Sequence, residues 1–314
     1  MKILFLQTAH GKDDDRVGFH QRVSLEQAGH TCAFASYVSA QDPLPDLIIC
    51  DTPKAIHIAR KAFGRQAKII YDVTEWYPSK KYLWNVPAWR KPLMFCAMIG
   101  ASLWAGCATN AFIFGEAYKA KPFRWLFPWK KYLFLPYYPS LQYIPYSAPH
   151  PIEDEVRLFY AGPKTQEKGY FRALQVAQRC EAKMPDKKVV FTAVEGVSFE
   201  AFCREITLHD ICLDLRDNDF ENTRCLPIKL FYYLAAGKPV VYSDLKAIRH
   251  GVPEIVNDSL VAPDDIERVA DIVVELISSP EHYQTICRRN RELAESTYNW
   301  ESQHERFVQF IEQL

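Results

Sequence analysis

The chain of 314 residues has 38 Lys and Arg, 38 Asp and Glu, 48% hydrophobic residues and 14% aromatic residues. This length predicts two domains, and this hydrophobic content excludes a disordered or fibrous chain. The formal net charge of zero argues against a strongly charged partner for the chain as a whole.

The nine cysteines predict neither a disulfide framework nor a zinc site. Their number is odd, no two form a CxxC pair, and most lie in apolar runs such as DLIIC and LMFC. Such usage is typical of buried, reduced thiols in a cytosolic protein. The apolar stretch in MKILFLQTAHGKDDD is too short for a signal peptide, so we interpret it as a first strand and expect a cytoplasmic location.

Strand and helix signals alternate along the first half of the chain. KILFLQ, TCAFASYV, DLIICD and KIIYDV predict strands, and PKAIHIARKAF predicts a helix between the last two. Another helix begins near Asp15 and ends at Ala28-Gly29. Strands that alternate with helices predict an α/β fold with a doubly wound parallel sheet.

The uncharged segment from Pro92 to Gly115 is long enough to cross a bilayer. Ser102, Thr109 and Asn110 interrupt its apolar character. We therefore interpret it as a buried helix followed by the buried strand AFIF.

Five prolines between residues 135 and 153 predict a linker between two domains. After it, the strands VRLFYAG, KVVFTAV, ICLDLRD, KPVVYSD and SLVAPDD alternate with helices, and three helical stretches end the chain. The sequence thus predicts two similar α/β halves with a cleft between them. Ligands of such sheets bind beyond the carboxyl ends of the strands, so the residues that follow each strand are the candidates for a site.

Two candidate segments follow strands of the first half. His10, Asp14 and Arg16 follow the first strand in TAHGKDDDR, where helix capping by the acidic residues is the alternative. Thr74 and Glu75 follow the fourth strand in YDVTEWYPSKK, where the alternative for Glu75 is a capped, satisfied carboxylate.

Two more candidate segments lie in the second half. In AGPKTQEKG, Gly162 permits close backbone approach, and Lys164 and Lys168 flank a helix start, which suits a diphosphate although no P-loop pattern is present. In RCLPIKLFYYLAAGKPVVYSD, Pro227 begins a helix and Lys229 lies in its first turn. A lysine there opposes the helix dipole, which indicates a neighbouring anion or carboxylate.

Together these segments resemble the family 4 group of retaining glycosyltransferases with the GT-B fold. HGKDDDRV is similar to H-x-x-x-D-x-R, YDVTEWYP to D-V-H-E-x-Y-P, and AGPKTQEKGY to G-R-x(n)-K-G. PIKLFYYLAAGKPVVYSD, the most specific match, is similar to P-N-K-L-F-E-Y-x-A-A-G-K-P-V-V-x-S-D. YNWESQHERF resembles a terminal helix that crosses back onto the first domain, so the resemblance spans nearly the whole chain.

The resemblance implies two Rossmann-like domains facing a central cleft. We expect an acceptor domain at 1–140, a nucleotide-sugar domain at 153–298, and a terminal helix at 299–314 that packs back on the acceptor domain. The implied reaction moves a sugar from a nucleotide-diphosphate donor to a glycan or lipid-linked acceptor, with retention and without a metal or other cofactor. The resemblance also implies a role in polysaccharide biosynthesis.

The resemblance also implies roles for single residues. Lys168 would neutralise the departing diphosphate, and catalytic roles are expected for Lys168, Glu75 and Arg16. His10, Asp14 and Thr74 are expected on the acceptor side. The residues expected to contact the donor are Gly162, Lys164, Gly169, Pro227, Lys229 and Tyr232.

Four positions depart from the family pattern. Tyr232 replaces the Glu that holds the ribose hydroxyls, Arg224 replaces its partner, Thr74 replaces a His, and Pro163 replaces an Arg. A tyrosine can donate one hydrogen bond to a ribose but cannot accept two as a carboxylate can. A non-catalytic GT-B protein that binds a glycan or a partner enzyme is therefore the alternative, and sugar-nucleotide epimerisation is a third hypothesis.

The neutral total conceals a basic, aromatic segment. From Lys54 to Lys131 there are fourteen Lys and Arg against three Asp and Glu, a net charge of +11, and six of the seven tryptophans. Cations interleaved with aromatics suit an anionic membrane interface, or single-stranded nucleic acid, which the resemblance disfavours. We expect peripheral contact of the region 76–131 with the inner face of the cell membrane and no nucleic-acid partner. Core tryptophans with scattered surface charges are the alternative.

Overall fold

The computed structural model describes residues 1–9, 15–75, 78–146, 148–149, 151–255 and 260–314, with only the backbone at positions 15, 80 and 81. The chain divides into two compact units. One comprises Met1–Tyr137 and Gln303–Leu314, and the other comprises Tyr138–Ser302. Each unit contains one parallel β-sheet, as the alternation of strand and helix signals predicts.

The first unit contains a six-stranded sheet. Its strands are β1 (Lys2–Leu6), β2 (Thr31–Ala35), β3 (Leu47–Cys50), β4 (Ile69–Val73), β5 (Ala111–Phe114) and β6 (Lys131–Phe134). Their order across the sheet is β2-β1-β3-β4-β5-β6. A π-helical segment, Asp15–Gln21, precedes the helices α1 (Arg22–Gln27), α2 (Pro53–Phe63), α3 (Lys80–Leu83), α4 (Lys91–Ala108) and α5 (Ala117–Leu126).

The central strands and α2 match their sequence signals. β3, β4 and β5 are buried at every position, as expected for apolar strands of a parallel sheet that is covered on both faces. The Thr52 side chain caps α2 by accepting a hydrogen bond from the Ala55 N–H, and Pro53 occupies the first turn. Gly64, with a φ of 59°, ends the helix.

The predicted burial of the helix within residues 92–115 is wrong. The buried residues of α4 are Ser102, Ala105 and Gly106, which form one narrow stripe at helical spacing near its carboxyl end. The remaining positions are exposed or half-buried, including both cysteines of this helix, Cys96 and Cys107. An apolar composition identified the helix but did not show which of its surfaces a neighbour covers.

The second unit contains a five-stranded sheet. Its strands are β7 (Glu155–Ala161), β8 (Lys188–Val194), β9 (Ile211–Asp214), β10 (Val240–Ser243) and β11 (Leu260–Val261), in the order β11-β10-β9-β7-β8. Its helices are α6 (Tyr170–Lys183), α7 (Phe199–Thr207), α8 (Ile228–Ala235), α9 (Lys246–Gly251), α10 (Ile266–Ser278) and α11 (Pro280–Ser296). Apolar side chains from these elements pack on both faces of the sheet in two clusters.

The proline-rich segment predicted as a linker packs on the second unit over part of its length. The Tyr138 ring centre lies 4.7 Å from that of Phe231 and 5.5 Å from that of Tyr298. The Glu301 carboxylate accepts a hydrogen bond from the Ser140 hydroxyl at 2.6 Å. Tyr138 and Ser140 of this segment are therefore packed parts of the second unit.

The last helix, α12 (His304–Glu312), belongs to the first unit. Phe307 and Ile311 of this helix are fully buried. Arg306 Nη2 donates to the Phe134 carbonyl at the end of β6, at 2.8 Å. These contacts confirm the prediction that the terminal helix returns to the first domain.

We expect Phe307→Ala to destabilise the first unit by about 3–5 kcal/mol, because it leaves a cavity under α12. Hydrogen–deuterium exchange should quicken in α1 and in the π-helical segment Asp15–Gln21, both of which α12 contacts, and should stay unchanged in the second unit. Gln309→Ala, at an exposed position of the same helix, is the control. Equal loss of protection in both units would contradict the assignment of α12.

Candidate functional site

The topology of the second sheet directs attention to the carboxyl ends of β7 and β9. The chain passes from β7 to β8 on one side and then to β9 on the other side, so the connections diverge between these neighbouring strands. Open α/β sheets bind their ligands at such a switch point. Gly162 follows β7 directly, Asp214 is the last residue of β9, and Arg216 lies just beyond it.

Asp214 is the centre of a buried charged cluster. Its carboxylate accepts hydrogen bonds from Arg216 Nε and Nη2 at 2.9 and 2.6 Å and from the Tyr242 hydroxyl at 2.7 Å. Lys229 Nζ lies 3.2 Å from the same carboxylate. Burial opposes ionisation of Asp214, but the charges of Arg216 and Lys229 outweigh it and hold the pKa of Asp214 well below its usual value.

Lys229 supplies a positive charge that the cluster does not neutralise. Two cations, Arg216 and Lys229, face the single carboxylate of Asp214, which leaves one positive charge in excess. Burial lowers the pKa of Lys229, and Arg216 and Lys168 lower it further, against the opposing effect of Asp214. Because the Lys229 side chain is still 25% exposed, an anion from solution can reach it.

Gly162 makes room for Lys229. Its φ is +136°, and a Cβ atom at this position would lie 2.9 Å from Lys229 Nζ. The Gly162 N–H donates to the Val194 carbonyl at 2.9 Å. This glycine therefore contributes space to the site, and its N–H is engaged by the sheet.

The loop between β7 and α6 is held by Tyr160. The Tyr160 hydroxyl donates to the carbonyls of Pro163 and Lys168 at 2.7 and 3.2 Å. The Lys168 side chain is 37% exposed and pairs with the Glu167 carboxylate at 3.0 Å. The positive charge of Lys168 also contributes to the lowered pKa of Lys229.

Two of the predicted donor contacts have a clear packing role. Tyr232 is 1% exposed, and its ring centre lies 5.5 Å from that of Phe202 in the hydrophobic core. Pro227 is buried directly before α8, where its carbonyl accepts from the Leu230 N–H at 3.2 Å. We assign no nucleotide contact to the Tyr232 ring.

Two other residues of the family motifs stand beside aromatic rings. The Arg224 guanidinium stacks on Phe220 at 3.9 Å. Lys164 Nζ lies 5.9 Å from the centre of the Tyr170 ring, next to Pro163, which replaces the family arginine. Lys164 is therefore close to the start of α6, as predicted.

In the first unit, Arg16 forms a buried ion pair with Asp72. Arg16 Nη1 lies 2.5 Å from Asp72 Oδ2, and Gln21 Nε2 donates to the same oxygen at 3.2 Å. The Arg16 guanidinium stacks 4.7 Å from the centre of the Tyr137 ring, and burial raises the pKa of Tyr137 to about 12. A carboxylate thus matches the charge of Arg16, which distinguishes Arg16 from Lys229.

Thr74 and Glu75 follow β4, as predicted. Lys119 Nζ donates to the Thr74 carbonyl at 2.5 Å and lies 3.5 Å from Glu116. Glu75 is half-buried and lines a cavity of about 40 Å³ together with Lys119 and Ser102. Within the described ranges, no group of three His, Cys, Asp or Glu residues is arranged to hold a metal ion.

The predicted acceptor-side residues His10 and Asp14 lie outside the described residues. The chain just before them is fixed by Asp51, at the end of β3. The Asp51 carboxylate accepts from the N–H groups of Thr8 and Ala9 at 3.0 and 2.8 Å. The chain at Thr8 and Ala9 is therefore anchored at the switch point of the first sheet.

Comparison with known proteins identifies the fold. No family model and no curated protein matches the sequence. Sucrose-phosphate synthase from Thermosynechococcus elongatus is similar, with a TM-score of 0.70, 13% identity, and coverage of 100% of this chain and 98% of that chain. Anabaena HepE in complex with UDP has a TM-score of 0.67 and 13% identity, with both chains fully covered.

A glycosyltransferase from Rickettsia africae is also similar, with a TM-score of 0.65, 11% identity, and coverage of 99% of this chain and 97% of that chain. At these identities the likeness defines the fold alone. The protein has the GT-B fold, with two Rossmann-like units and a terminal helix that returns to the first unit.

The loop before α6 depends on Gly169, which has a φ of +84°. A Cβ atom at Gly169 would lie 2.2 Å from the Leu215 carbonyl oxygen, so Gly169→Ala combines backbone strain with a clash. We expect Gly169→Ala to lower the thermal unfolding midpoint clearly more than Gly196→Ala does. Gly196 has a φ of +65° in open space, so its variant measures the strain alone. Equal midpoints would show that Leu215 does not constrain this loop.

Proposed function

We propose that the protein is a nucleotide-sugar glycosyltransferase whose donor diphosphate binds at the carboxyl ends of β7 and β9. The observation that carries this proposal is the unmatched positive charge of Lys229 beside Asp214 and Arg216 at the switch point. A diphosphate would supply the missing negative charge and would also reach Lys168. The similar Anabaena HepE was solved with UDP and with UDP-glucose, which supports this donor class.

The proposed reaction breaks the bond between the sugar anomeric carbon and the diphosphate oxygen. The bonding electron pair leaves with the diphosphate. The acceptor oxygen bonds to the anomeric carbon, and its proton passes to an oxygen of the departing diphosphate. Lys168 and Lys229 stabilise the negative charge that develops on the leaving group. We propose transfer with retention and without a metal ion, in keeping with the family 4 resemblance and with two lysines at the leaving group.

The acceptor in this proposal is a glycan or lipid-linked precursor of a polysaccharide. Arg16 and Glu75 remain the proposed catalytic residues of the first unit, and Thr74 remains a proposed acceptor-side residue. Thr74 and Glu75 directly follow β4, and Arg16 lies in the π-helical segment that follows β1. The proposed location is the cytoplasm, at the inner face of the cell membrane. The alternative is a non-catalytic GT-B protein that binds a glycan or a partner enzyme.

We expect Lys168→Ala to lower sugar transfer, or hydrolysis of the nucleotide sugar, by about 10²–10³-fold, because one cation is lost at the leaving group. The assay measures nucleotide release from UDP-, GDP- and ADP-sugars. The control is Lys188→Ala. Lys188 lies at the amino end of β8, away from the carboxyl ends where the site lies, and pairs with Glu155 on the surface.

Unchanged turnover in Lys168→Ala would remove Lys168 from the mechanism. Isothermal titration against the same nucleotide sugars separates the two functions. A lack of binding to every one of them would favour the non-catalytic alternative.

Lys229 predicts how donor affinity depends on pH. Its lowered pKa means that it loses its proton at a lower pH than an ordinary lysine, so diphosphate affinity should fall as the pH rises through that range. Titration of UDP between neutral and alkaline pH measures this fall. Lys229→Met should bind UDP weakly and with a flat pH profile over that range. A wild-type profile that stays flat would contradict the assignment of Lys229 to the diphosphate.

A further inference from the structure

The first half of α4 is an apolar surface that the first unit leaves uncovered. From Lys91 to Ala101 every position is exposed except the half-buried Met98. Leu93 is 71% exposed, and Trp89, in the turn just before α4, is 73% exposed. The helical segment Ala88–Ala108, which is α4 with the turn before it, is long and apolar enough to cross a membrane, but only 11% of its most apolar stretch is buried in the protein. In a core helix most of this stretch would be buried.

The carboxyl end of α4 is fixed on the first unit. Lys130 Nζ donates to the carbonyls of Gly106, Cys107 and Thr109, and Arg60 Nε donates to the Ala108 carbonyl at 2.7 Å. The eleven residues from Lys91 to Ala101 rise about 16 Å. A bilayer core is about 30 Å thick, so this free part is too short to span one. It can instead lie along the interface of one leaflet.

The charges around α4 complement an anionic surface. The sequence contains no acidic residue between Glu75 and Glu116. Arg90 and Lys91 are exposed at the start of the helix. α5 shares a cavity with α4 through Ser102 and Phe123, and it presents Lys121 and Arg124 to solvent. Exposed tryptophans accompany these cations at positions 84, 89, 125 and 129. Such a border of Trp and cations suits the headgroup level of a membrane.

We propose that the first half of α4 inserts into the headgroup–acyl interface of an anionic bilayer and anchors the protein as a monotopic membrane protein. Leu93, Phe95 and Ile99 enter the apolar layer, and Arg90 and Lys91 contact anionic headgroups.

The anchor has a defined position relative to the acceptor-side residues. Because α4 connects the parallel neighbours β4 and β5, it runs antiparallel to them and begins at the carboxyl edge of the sheet. Thr74 and Glu75 lie at that same edge, directly after β4. This part of the inference rests on the proposed function: a lipid-linked acceptor would meet the first unit at the edge that lies against the membrane.

Vesicle flotation tests the anchor. The full chain should float with vesicles of phosphatidylcholine and phosphatidylglycerol and much less with phosphatidylcholine alone. Leu93→Glu combined with Ile99→Glu should lower flotation at least tenfold, because two apolar contacts become charged. Both positions are already exposed, so the thermal unfolding midpoint should not change. Leu208→Glu, an exposed leucine of the second unit, should float like the wild type.

Two further measurements define the mode of binding. Arg90→Gln combined with Lys91→Gln should remove the preference for phosphatidylglycerol. Lipids brominated in the acyl chain should quench tryptophan emission of the wild type but not of the Leu93→Glu, Ile99→Glu variant. Equal recovery of wild type in the supernatant of both vesicle types, or unchanged flotation of that variant, would overturn the proposal.

Two other occupants of this surface are outcomes of the same series. A dimer that forms without lipid and dissociates in the Leu93→Glu, Ile99→Glu variant would assign the surface to a second copy of the chain. Binding of a single-stranded oligonucleotide that this variant abolishes, without vesicle flotation, would assign it to nucleic acid. Lys229→Met should float normally while losing UDP binding. Failure of the anchor is thereby separated from failure of the proposed donor site.

Discussion

The buried carboxylate of Asp214 is the interaction on which the edge of the second sheet depends. It holds Arg216, Tyr242 and Lys229 together, and Gly162, whose φ of +136° favours glycine, lies beside Lys229. Removing a charge from water is costly unless an opposite charge matches it, and here two cations share one carboxylate. The fold therefore keeps a positive charge ready for an anion. The diphosphate that we propose as the ligand would match both the position and the charge of Lys229.

The two units differ in how their buried positive charges are neutralised. In the first unit Asp72 matches Arg16, so that ion pair is complete without a ligand. In the second unit Lys229 shares the Asp214 carboxylate with Arg216, so one positive charge remains for a ligand. In the first unit, by contrast, most of the apolar side chains of α4 are exposed to solvent. Unmatched charge in one unit and unmatched apolar surface in the other point to two kinds of partner, a phosphorylated donor and a membrane.

Local signals predicted much of the fold. Apolar runs such as LIIC and AFIF became buried strands, and PKAIHIARKAF became α2 as predicted. The exposure of α4 could not be predicted, since a core helix and a membrane-surface helix have the same composition.

The Tyr232 ring lies in the core although its motif position implied a ribose contact, because a motif gives position in sequence and not the direction of a side chain. The sequence did not identify Asp214 and Arg216 as site residues, because their contact with Lys229 depends on tertiary structure. The charged residues at the end of the buried strand in ICLDLRD were the available signal.

The central claim is that Lys229 and Lys168 receive the diphosphate of a nucleotide sugar at the carboxyl ends of β7 and β9. A crystal structure of the full chain with UDP tests this claim most directly. We expect diphosphate oxygens within hydrogen-bond distance of Lys229 Nζ, with Lys168 turned from Glu167 toward the phosphate. A diphosphate bound elsewhere on the chain, or a site that holds no UDP at saturating concentration while Lys229 keeps its contact with Asp214, would contradict it.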